Sequence, residues 1–504
     1  MNISSKKSAI LLSTITTLLS YIIMFFLTPI TLRILGKSEH GLYNLATSVV
    51  GYLSLISLGL GSAYVRFYFR AKSGKIKYSL EHLNGMYLIT FIFISSIALV
   101  FGILIIFFSE SILGPRLSGS EHLIAKILIS ILVFNLIGSF VTSIFQSYIR
   151  AIKHFVVLEF LILFKTILSP MITIPLLLLG YGSIGFVFGS TVVATIIEIT
   201  TIIYAVKAGK MKFNFRIYDW AIMKEIFSYS LYIFGFSLFD QLNNSVDNLV
   251  LGWTVGTEVI SVYAVGAMIS GIILSFSSAI LNVSIPEINK ISSENKPDKL
   301  NKISELQSRY GRMIFLITSF ILSGFVILGL PFIKLWIGNG YIEVYILALL
   351  LTFPKLFSNS MAISSEFIKA ENRHTTRLIA YAVSILINIA ISIPLAIEFG
   401  AFGAALGTFI SFSMYTIFMH FYYSHKIRVN LYSFWKQVLY IVLILTLYMA
   451  LSYWLSNFIN LLKLWNFLVF GLCYSLGLFI IIFAFVLTRD EKRTILSFVP
   501  FIKK

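Results

Sequence analysis

A stripe of polar side chains interrupts an otherwise apolar stretch near the middle of the chain. Asp240, Asn243, Asn244 and Asp247 recur at i, i+3, i+4 and i+7, so a helix would place them on one face. Gln241 and Asn248 widen this face. Carboxylates and amides in such an array can exchange hydrogen bonds with a hydroxyl-rich solute or hold a cation.

The first apolar stretch carries a polar stripe of its own, formed by Ser13, Thr16, Thr17 and Ser20. Subtracting 220 from Asp240 gives Ser20, so the two stripes occupy equivalent positions in an internal repeat described below. Two polar faces on equivalent helices favour a shared, water-filled cavity. The alternative is a buried polar contact that holds helices together.

Five ionisable residues are expected deep within apolar stretches: Lys165, Glu198, Asp240, Asp247 and Lys355. A charge at the centre of a bilayer costs roughly 2.5–3.5 kcal/mol on the insertion scale. Such residues are therefore expected to face a cavity, to pair with one another or to be neutral. An ion pair between Lys165 and Glu198 within one half of the chain is an open alternative to a role in ligand binding.

The composition sets the environment in which these residues lie. The 504 residues are 58% hydrophobic and only 12% charged, and the mean hydropathy is +0.92, values typical of a membrane protein. Because a helix needs roughly 20 apolar residues to span a bilayer, about fourteen spans are predicted. They cover approximately residues 9–32, 43–65, 85–108, 124–149, 155–179, 183–206, 227–251, 260–285, 313–333, 340–363, 376–397, 401–423, 437–457 and 465–487.

The net charge of +18 is unevenly distributed over the predicted loops. If the N-terminus is cytoplasmic, most of the 39 Lys and Arg residues fall on the cytoplasmic side, as the positive-inside rule requires. Both termini are then cytoplasmic. Attraction to anionic head groups explains the basic clusters, so membrane lipid and not nucleic acid is the expected partner.

An internal repeat divides the chain. Four short blocks recur in the same order about 219 residues later, and in each case the two copies share small or apolar residues. The pairs are 36–43 with 256–263, 148–151 with 367–370, 174–176 with 393–395, and 182–189 with 400–407. Six spans separate equivalent helices, so both copies cross the membrane in the same direction and form a parallel repeat.

The predicted fold is therefore an all-α polytopic membrane protein with two six-helix lobes and an appended helix pair. Residues 1–210 form the N-terminal lobe, 211–429 the C-terminal lobe, and 430–504 the last two spans with a cytoplasmic tail. The substrate path is expected between the lobes.

The sequence offers no site for catalysis, a cofactor or a metal. It contains no GxxxxGK[ST] phosphate loop, and its seven histidines and single cysteine show no metal-ligand spacing. The predicted outer loops are short and carry only scattered charges. A transporter is therefore favoured over an enzyme.

Residues 33–67 carry the most specific motif, with Leu35-Gly36, Gly41 to Tyr43, and LGLGSA from Leu58 to Ala63. In these residues and in its span count, the chain resembles the Wzx-type polysaccharide flippases of the MOP superfamily, whose fold is MATE-like. The resemblance implies a bacterial inner-membrane transporter for surface polysaccharide biosynthesis. It would move a polyprenyl-diphosphate-linked oligosaccharide repeat unit from the cytoplasmic to the outer leaflet by alternating access.

With that substrate, the two polar stripes are expected to contact the sugars as the head group passes. Cations near them would contact the diphosphate, and the candidates are Lys165, Lys355, Arg33, Arg66 and Arg70. Asp240 and Glu198 are the candidates for coupling to an ion gradient. Spans thirteen and fourteen would form a groove for the polyprenyl tail, and polysaccharide polymerase machinery is an expected partner.

Two other functions remain open at this point. A drug or cation exporter of the MATE group usually has twelve spans and lacks the extra helix pair, so the span count discriminates. A membrane-embedded polymerase or transferase acting on lipid-linked sugars would need a catalytic outer loop.

Overall fold

The computed structural model describes residues 3–74, 79–216, 218–294, 297–371, 373, 375–489 and 491–492. Within these ranges every regular element is helical, which confirms the all-α fold class. The α-helices are α1 (Ile3–Ser54), α2 (Leu60–Lys72), α3 (Leu80–Phe107), α4 (Ser109–Leu113), α5 (Gly119–Ala151), α6 (Phe155–Leu178), α7 (Gly182–Ile203), α8 (Trp220–Thr254), α9 (Thr257–Ser293), α10 (Lys299–Leu306), α11 (Arg312–Trp336), α12 (Glu343–Ser360), α13 (Ala362–Ala370), α14 (Thr375–Phe421), α15 (Tyr432–Ser456) and α16 (Leu464–Ile481).

Eleven helical stretches of the described chain are long and apolar enough to cross a membrane. Two of them, Leu11–Lys72 and Thr375–Lys426, are 62 and 52 residues long, enough for two crossings each at roughly 20 residues per span. Helix α8, which carries the polar stripe, is not among the eleven. Counting each long stretch twice and including α8 is consistent with the fourteen predicted spans.

Two repeat-related glycines have the same unusual backbone conformation. Gly182 has φ 57° and Gly400 has φ 58°. This is the left-handed region of backbone conformation, which residues with a Cβ adopt only at an energetic cost. Gly403 lies so close to its neighbours that a Cβ there would overlap the carbonyl oxygen of Leu395. The recurrence of these glycines in the sequence therefore has a local structural reason.

The described chain forms two compact units. The first contains residues 1–264 and 385–407. In it α6 packs on α7 and α1, α5 packs on α3 and α7, and α8 packs on α1 and α2. Its core between α2, α3 and α5 is rich in aromatic residues, including Tyr64, Phe67, Tyr87 and Phe91. The Tyr64 hydroxyl donates to Asn84 Oδ1 at 2.6 Å, which satisfies a polar group within this apolar core.

The second unit contains residues 265–384 and 408–504. Helix α11 contacts α12, α15 and α16 in it. A carboxylate also joins separate segments, because Glu371 accepts from Lys299 Nζ and from Ser292 Oγ, both at 2.6 Å. Burial raises the pKa of Glu371, but these donors outweigh burial and hold its pKa below the usual value.

The two units group residues by contact, whereas the lobes at 1–210 and 211–429 and the pair at 430–504 were assigned from the repeat. Helix α8 falls in the first unit because it packs on α1 and α2. The division into repeat lobes stays a prediction.

Candidate functional site

The polar stripe of helix α8 begins at an exposed residue and ends at a buried one. Asp240 is exposed, Gln241 is half-buried, and Asn243 and Asp247 are buried, Asp247 with only 2% of its surface exposed. The side chain of Asn244 lies outside the described residues. The predicted polar face thus continues from an accessible end into the interior of the first unit.

The start of α8 is fixed by the residue that precedes it. Asp219 Oδ1 accepts a hydrogen bond from the backbone N–H of Ala221 at 2.7 Å, the usual role of an aspartate at a helix N-cap. From this end, α8 runs against α1 and α2. The cap and the packing together set which residues of α8 face the interior.

Asp247 is the centre of a buried polar cluster formed by α8, α1 and α9. The hydroxyl of Tyr263 donates a hydrogen bond to Asp247 Oδ2, and the phenol of Tyr52 lies within electrostatic range of the same carboxylate. One residue further along, Asn248 Nδ2 donates to Ser48 Oγ at 2.9 Å. A carboxylate in apolar surroundings requires such donors to offset its desolvation.

Some polar atoms of this cluster have no hydrogen-bond partner among the described residues. They include the Tyr52 hydroxyl and Asn248 Oδ1, both buried. Gln241 Nε2 donates to Ser245 Oγ at 2.7 Å, and its amide packs so closely on Gly51 that a Cβ there would overlap it. Buried polar atoms without partners are uncommon in proteins and are candidate contacts for water, ions or ligands.

The polar stripe of α1 is largely satisfied by the helix itself. The hydroxyls of Thr16, Thr17 and Ser20 donate to the carbonyl oxygens of Leu12, Ser13 and Thr16, at 2.8–2.9 Å. This bond to the preceding turn is common for hydroxyl residues in helices. Thr16 is buried, Ser13 and Ser20 are half-buried, and Thr17 is exposed.

Lys165 lies near the carboxylate predicted as its possible partner. It is exposed on α6 and within electrostatic range of Glu198 on α7. The Glu198 carboxylate in turn packs on α5, where a Cβ at Gly138 would lie 2.5 Å from Oε2. The structure thus brings together the two residues for which the sequence left an ion pair open.

Three of the four remaining candidate cations contact aromatic or acidic groups. Arg66 lies over the ring of Tyr229 at 4.5 Å, and Arg70 Nη1 pairs with Glu225 Oε1 at 2.5 Å, so both arginines of α2 contact α8. Lys355 lies over the ring of Phe412 at 5.2 Å in the second unit.

Arg33 on α1 is exposed. The five cations predicted to contact a diphosphate therefore have different neighbours.

The turn motif at residues 36–43 packs against its own repeat mate. Glu121 Oε1 accepts from Ser38 Oγ and from Thr257 Oγ1, both at 2.7 Å. A Cβ at Gly41 would overlap the carbonyl oxygen of Thr257. His40 Nδ1 lies 2.8 Å from Ser261 Oγ. The glycine of the GLY motif is thus required by the close approach of two backbones.

Sequence reasoning missed the tertiary partners that complete these polar clusters. Tyr263 was recognised only as the repeat mate of Tyr43, and Tyr52 and Glu121 were not singled out. The repeat match was a signal for Tyr263. No sequence signal joins Tyr52 or Glu121 to residues more than 100 positions away.

The described residues contain no group of three or more His, Cys, Asp or Glu residues that could hold a metal ion. The chemistry offered by the clusters is hydrogen bonding and charge pairing.

Comparison with known proteins gives matches to one family and to solved structures. Residues 5–292 match a family described as polysaccharide biosynthesis protein. A probable low-salt glycan biosynthesis flippase of Haloferax volcanii is 20% identical over 207 residues, which cover 41% of this chain and 43% of that protein. The chain thus aligns with less than half the length of this curated relative.

Among solved structures, the lipid II flippase MurJ in an inward closed conformation matches with a TM-score of 0.74 and 20% identity, over 94% of this chain and 99% of that one. An inward-facing multidrug resistance MATE family transporter of the MOP superfamily matches with a TM-score of 0.61 and 14% identity, over 83% and 98%. At this identity the likeness shows the fold. These relatives are named as flippases and transporters.

Proposed function

The chain belongs to the polysaccharide biosynthesis protein family, and from this premise we propose that it flips a polyprenyl-diphosphate-linked oligosaccharide from the cytoplasmic to the outer leaflet. The family confirms the resemblance that the motif at residues 33–67 indicated. Support for a lipid-linked glycan as substrate comes from the relative named as a glycan biosynthesis flippase and from the MurJ-like fold.

The observation that carries this proposal is the polar face of α8. Asp240 is exposed, and the face continues to buried Asp247, beside the Tyr52 hydroxyl and Asn248 Oδ1, two buried atoms that have no hydrogen-bond partner in the described part of the chain. A polar face on a membrane-length helix requires polar contacts. Sugar hydroxyls are suited to these amides and carboxylates because they both donate and accept hydrogen bonds.

Within this proposal, the cations contact the diphosphate. Arg66 and Arg33 are the first residues to test, because Arg70 pairs with Glu225 and Lys165 lies near Glu198. Charge-assisted hydrogen bonds to phosphate are stronger than neutral ones, so even one such contact would favour the head group in the cavity. Asp240 and Glu198 stay the candidates for ion coupling.

A cellular location and a membrane topology follow from the proposed function. The protein would lie in the cytoplasmic membrane with both termini in the cytoplasm, and the polysaccharide polymerase machinery would use the exported repeat units. Alternating access would expose the α8 face first to one leaflet and then to the other.

Reconstitution tests the proposal directly. Vesicles would contain the protein and a lipid-linked oligosaccharide, and an impermeant glycosidase would be added outside. The protein should increase the fraction of head groups that the enzyme reaches. Asp240→Ala combined with Asn243→Ala should slow this at least tenfold, whereas Asn457→Ala, at an exposed position beyond α15, should not. Accessibility equal to that of protein-free vesicles would reject the flippase.

Cysteine labelling tests the polar face independently of transport. The native Cys473 is exposed, so it would first be changed to Ser. Asp240→Cys should then react with a membrane-impermeant thiol reagent, and excess lipid-linked oligosaccharide should slow the reaction. Leu443→Cys, at an exposed apolar position within α15, is the control and should stay unreactive. No reaction at position 240 in any state would indicate a packing role.

A further inference from the structure

The second unit contains a cavity of about 1280 Å³, lined by none of the residues proposed to contact the sugars or the diphosphate. Its walls include the last two spans, which were predicted to form a groove for the polyprenyl tail. Its walls come from α10, the start of α11, α15 and the end of α16. Binding sites for drug-sized molecules usually measure about 300–1,000 Å³. The cavity is therefore large enough for a ligand with both a head group and part of a hydrocarbon chain.

The lining of this cavity changes from polar to apolar along α11. Polar residues line it at 301–312, 430–437 and 488–491, whereas apolar residues line it at 280, 313–321, 479–482 and 487. From Arg309 to Ile321 the helical rise is about 18 Å at 1.5 Å per residue. The separation is suited to an amphiphile whose polar group lies beside α10 and whose chain follows α11 and α16.

Arg312 is a buried, hydrogen-bonded residue in this lining. It is 7% exposed, its Nη2 pairs with Glu491, and its Nη1 donates to the Val486 carbonyl at 3.3 Å. Its Nε is buried without a hydrogen-bond partner among the described residues. A buried guanidinium donor without a partner is costly, and an oxygen-rich head group would satisfy it.

The backbone at the polar end departs from regular α-helix. Gln307–Gly311 forms a π-helical turn between α10 and α11, a feature that frequently occurs at functional sites. Gln307 holds this turn in place, because Nε2 donates to the Ser360 carbonyl at 2.8 Å and Oε1 accepts from the Ser364 N–H at 3.0 Å. Arg309, within the turn, lines the cavity.

The charges in the lining balance. Arg309 and Arg312 are the cations, and Glu305 and Glu491 are the anions. A polyprenyl diphosphate would bring several negative charges into a lining of zero net charge. A head group with one phosphate and one amine matches it better, with the phosphate near Arg309 and the amine near Glu305.

We propose that this cavity binds one zwitterionic glycerophospholipid, with its phosphate held by Arg309 and Arg312 Nε and one acyl chain between α11 and α16. The bound lipid would be a resident of the fold and not the transported substrate. It would fill the space beside the Arg312–Glu491 pair and supply the missing acceptor.

Native mass spectrometry of the full-length protein tests this. The protein would be extracted from vesicles with equal amounts of phosphatidylethanolamine and phosphatidylglycerol, with polyprenyl phosphate added in a second arm. The expected result is one retained phosphatidylethanolamine in both arms. Arg309→Gln should reduce its occupancy at least fivefold, and Ile317→Trp, which fills the apolar part of the cavity, should do the same.

Lys436→Gln is the matched control, because it removes an exposed cation of α15 that does not line the cavity. It should leave occupancy unchanged. Equal occupancy in the wild type and in both cavity variants would overturn the proposal, as would preferential retention of phosphatidylglycerol or of polyprenyl phosphate. The readout is a bound mass and needs no transport, so its failure is distinguishable from failure of the flippase proposal.

Discussion

Tyr263 donates a hydrogen bond to Asp247, an acid that is 2% exposed on a membrane-length helix. The bond joins α8 to the first turns of α9. Tyr263 is the repeat mate of Tyr43, but the position equivalent to Asp247 is occupied by Leu27. The hydrogen bond between Asp247 and Tyr263 therefore has no counterpart at the equivalent positions of the first repeat, Leu27 and Tyr43.

Removal of the Tyr263 hydroxyl should destabilise the protein. Tyr263→Phe leaves a buried carboxylate with one donor fewer, which costs about 1–3 kcal/mol. The midpoint of thermal unfolding in detergent should fall accordingly. Tyr181→Phe, at an exposed tyrosine, is the control and should leave the midpoint unchanged. Identical midpoints for both variants would contradict a structural role for the bond.

Gly41 should tolerate no side chain. A Cβ there would overlap the Thr257 carbonyl oxygen, so Gly41→Ala should cost about 1–3 kcal/mol by overpacking. A Cβ added at Gly271 in α9 would have no heavy atom within 4 Å. Gly271→Ala should therefore stabilise the folded protein by about 0.5–1 kcal/mol. Thermal unfolding of the two variants is the measurement. An unaltered midpoint in Gly41→Ala would mean that the two turns do not approach so closely.

The Arg312–Glu491 pair should make stability depend on pH. Burial raises the pKa of Glu491, but the hydrogen bonds from Arg312 and Thr488 outweigh burial, so the net shift is downward. A lowered folded-state pKa stabilises the protein above the unfolded-state value of about 4.3, and this contribution is lost as the pH falls through the folded-state pKa.

Glu491→Gln should therefore lower the unfolding midpoint at pH 7, and its deficit should shrink as the pH falls below about 4. Midpoints measured from pH 7 to pH 3 check this. Glu398→Gln, at an exposed acid, should follow the wild type throughout. A deficit that is constant over the whole range would exclude ionisation of Glu491 as its cause.

Lys165 and Glu198 should show a favourable interaction free energy in a double-mutant cycle. If they pair, Lys165→Gln and Glu198→Gln should each impair stability, and the double variant should cost less than the sum, with a coupling of about 0.5–3 kcal/mol. The exposed pair Lys126–Glu110, at 3.0 Å, is the control and should show coupling below about 1 kcal/mol. Additive effects at 165 and 198 would leave Lys165 available for the diphosphate.

The fold could largely be predicted from the sequence. Long apolar stretches must be helices in a membrane, because lipid offers no partner to the backbone. The repeat also identified Gly182 and Gly400 as equivalent, and their φ values of 57° and 58° give the physical reason. The contact units could not be predicted, because the packing of α8 on α1 and α2 depends on side-chain shape and not on hydropathy.

Composition, span length and the motif at residues 33–67 are local properties, so the amino-acid sequence alone was enough to predict an all-helical membrane protein of the polysaccharide biosynthesis family. Which polar groups contact one another depends on tertiary packing. Asp247 finds Tyr263, Glu121 joins Ser38 to Thr257, and Arg312 lines a cavity beside Glu491. The members of the last two groups come from positions more than 80 residues apart, and packing alone brings them within hydrogen-bond distance.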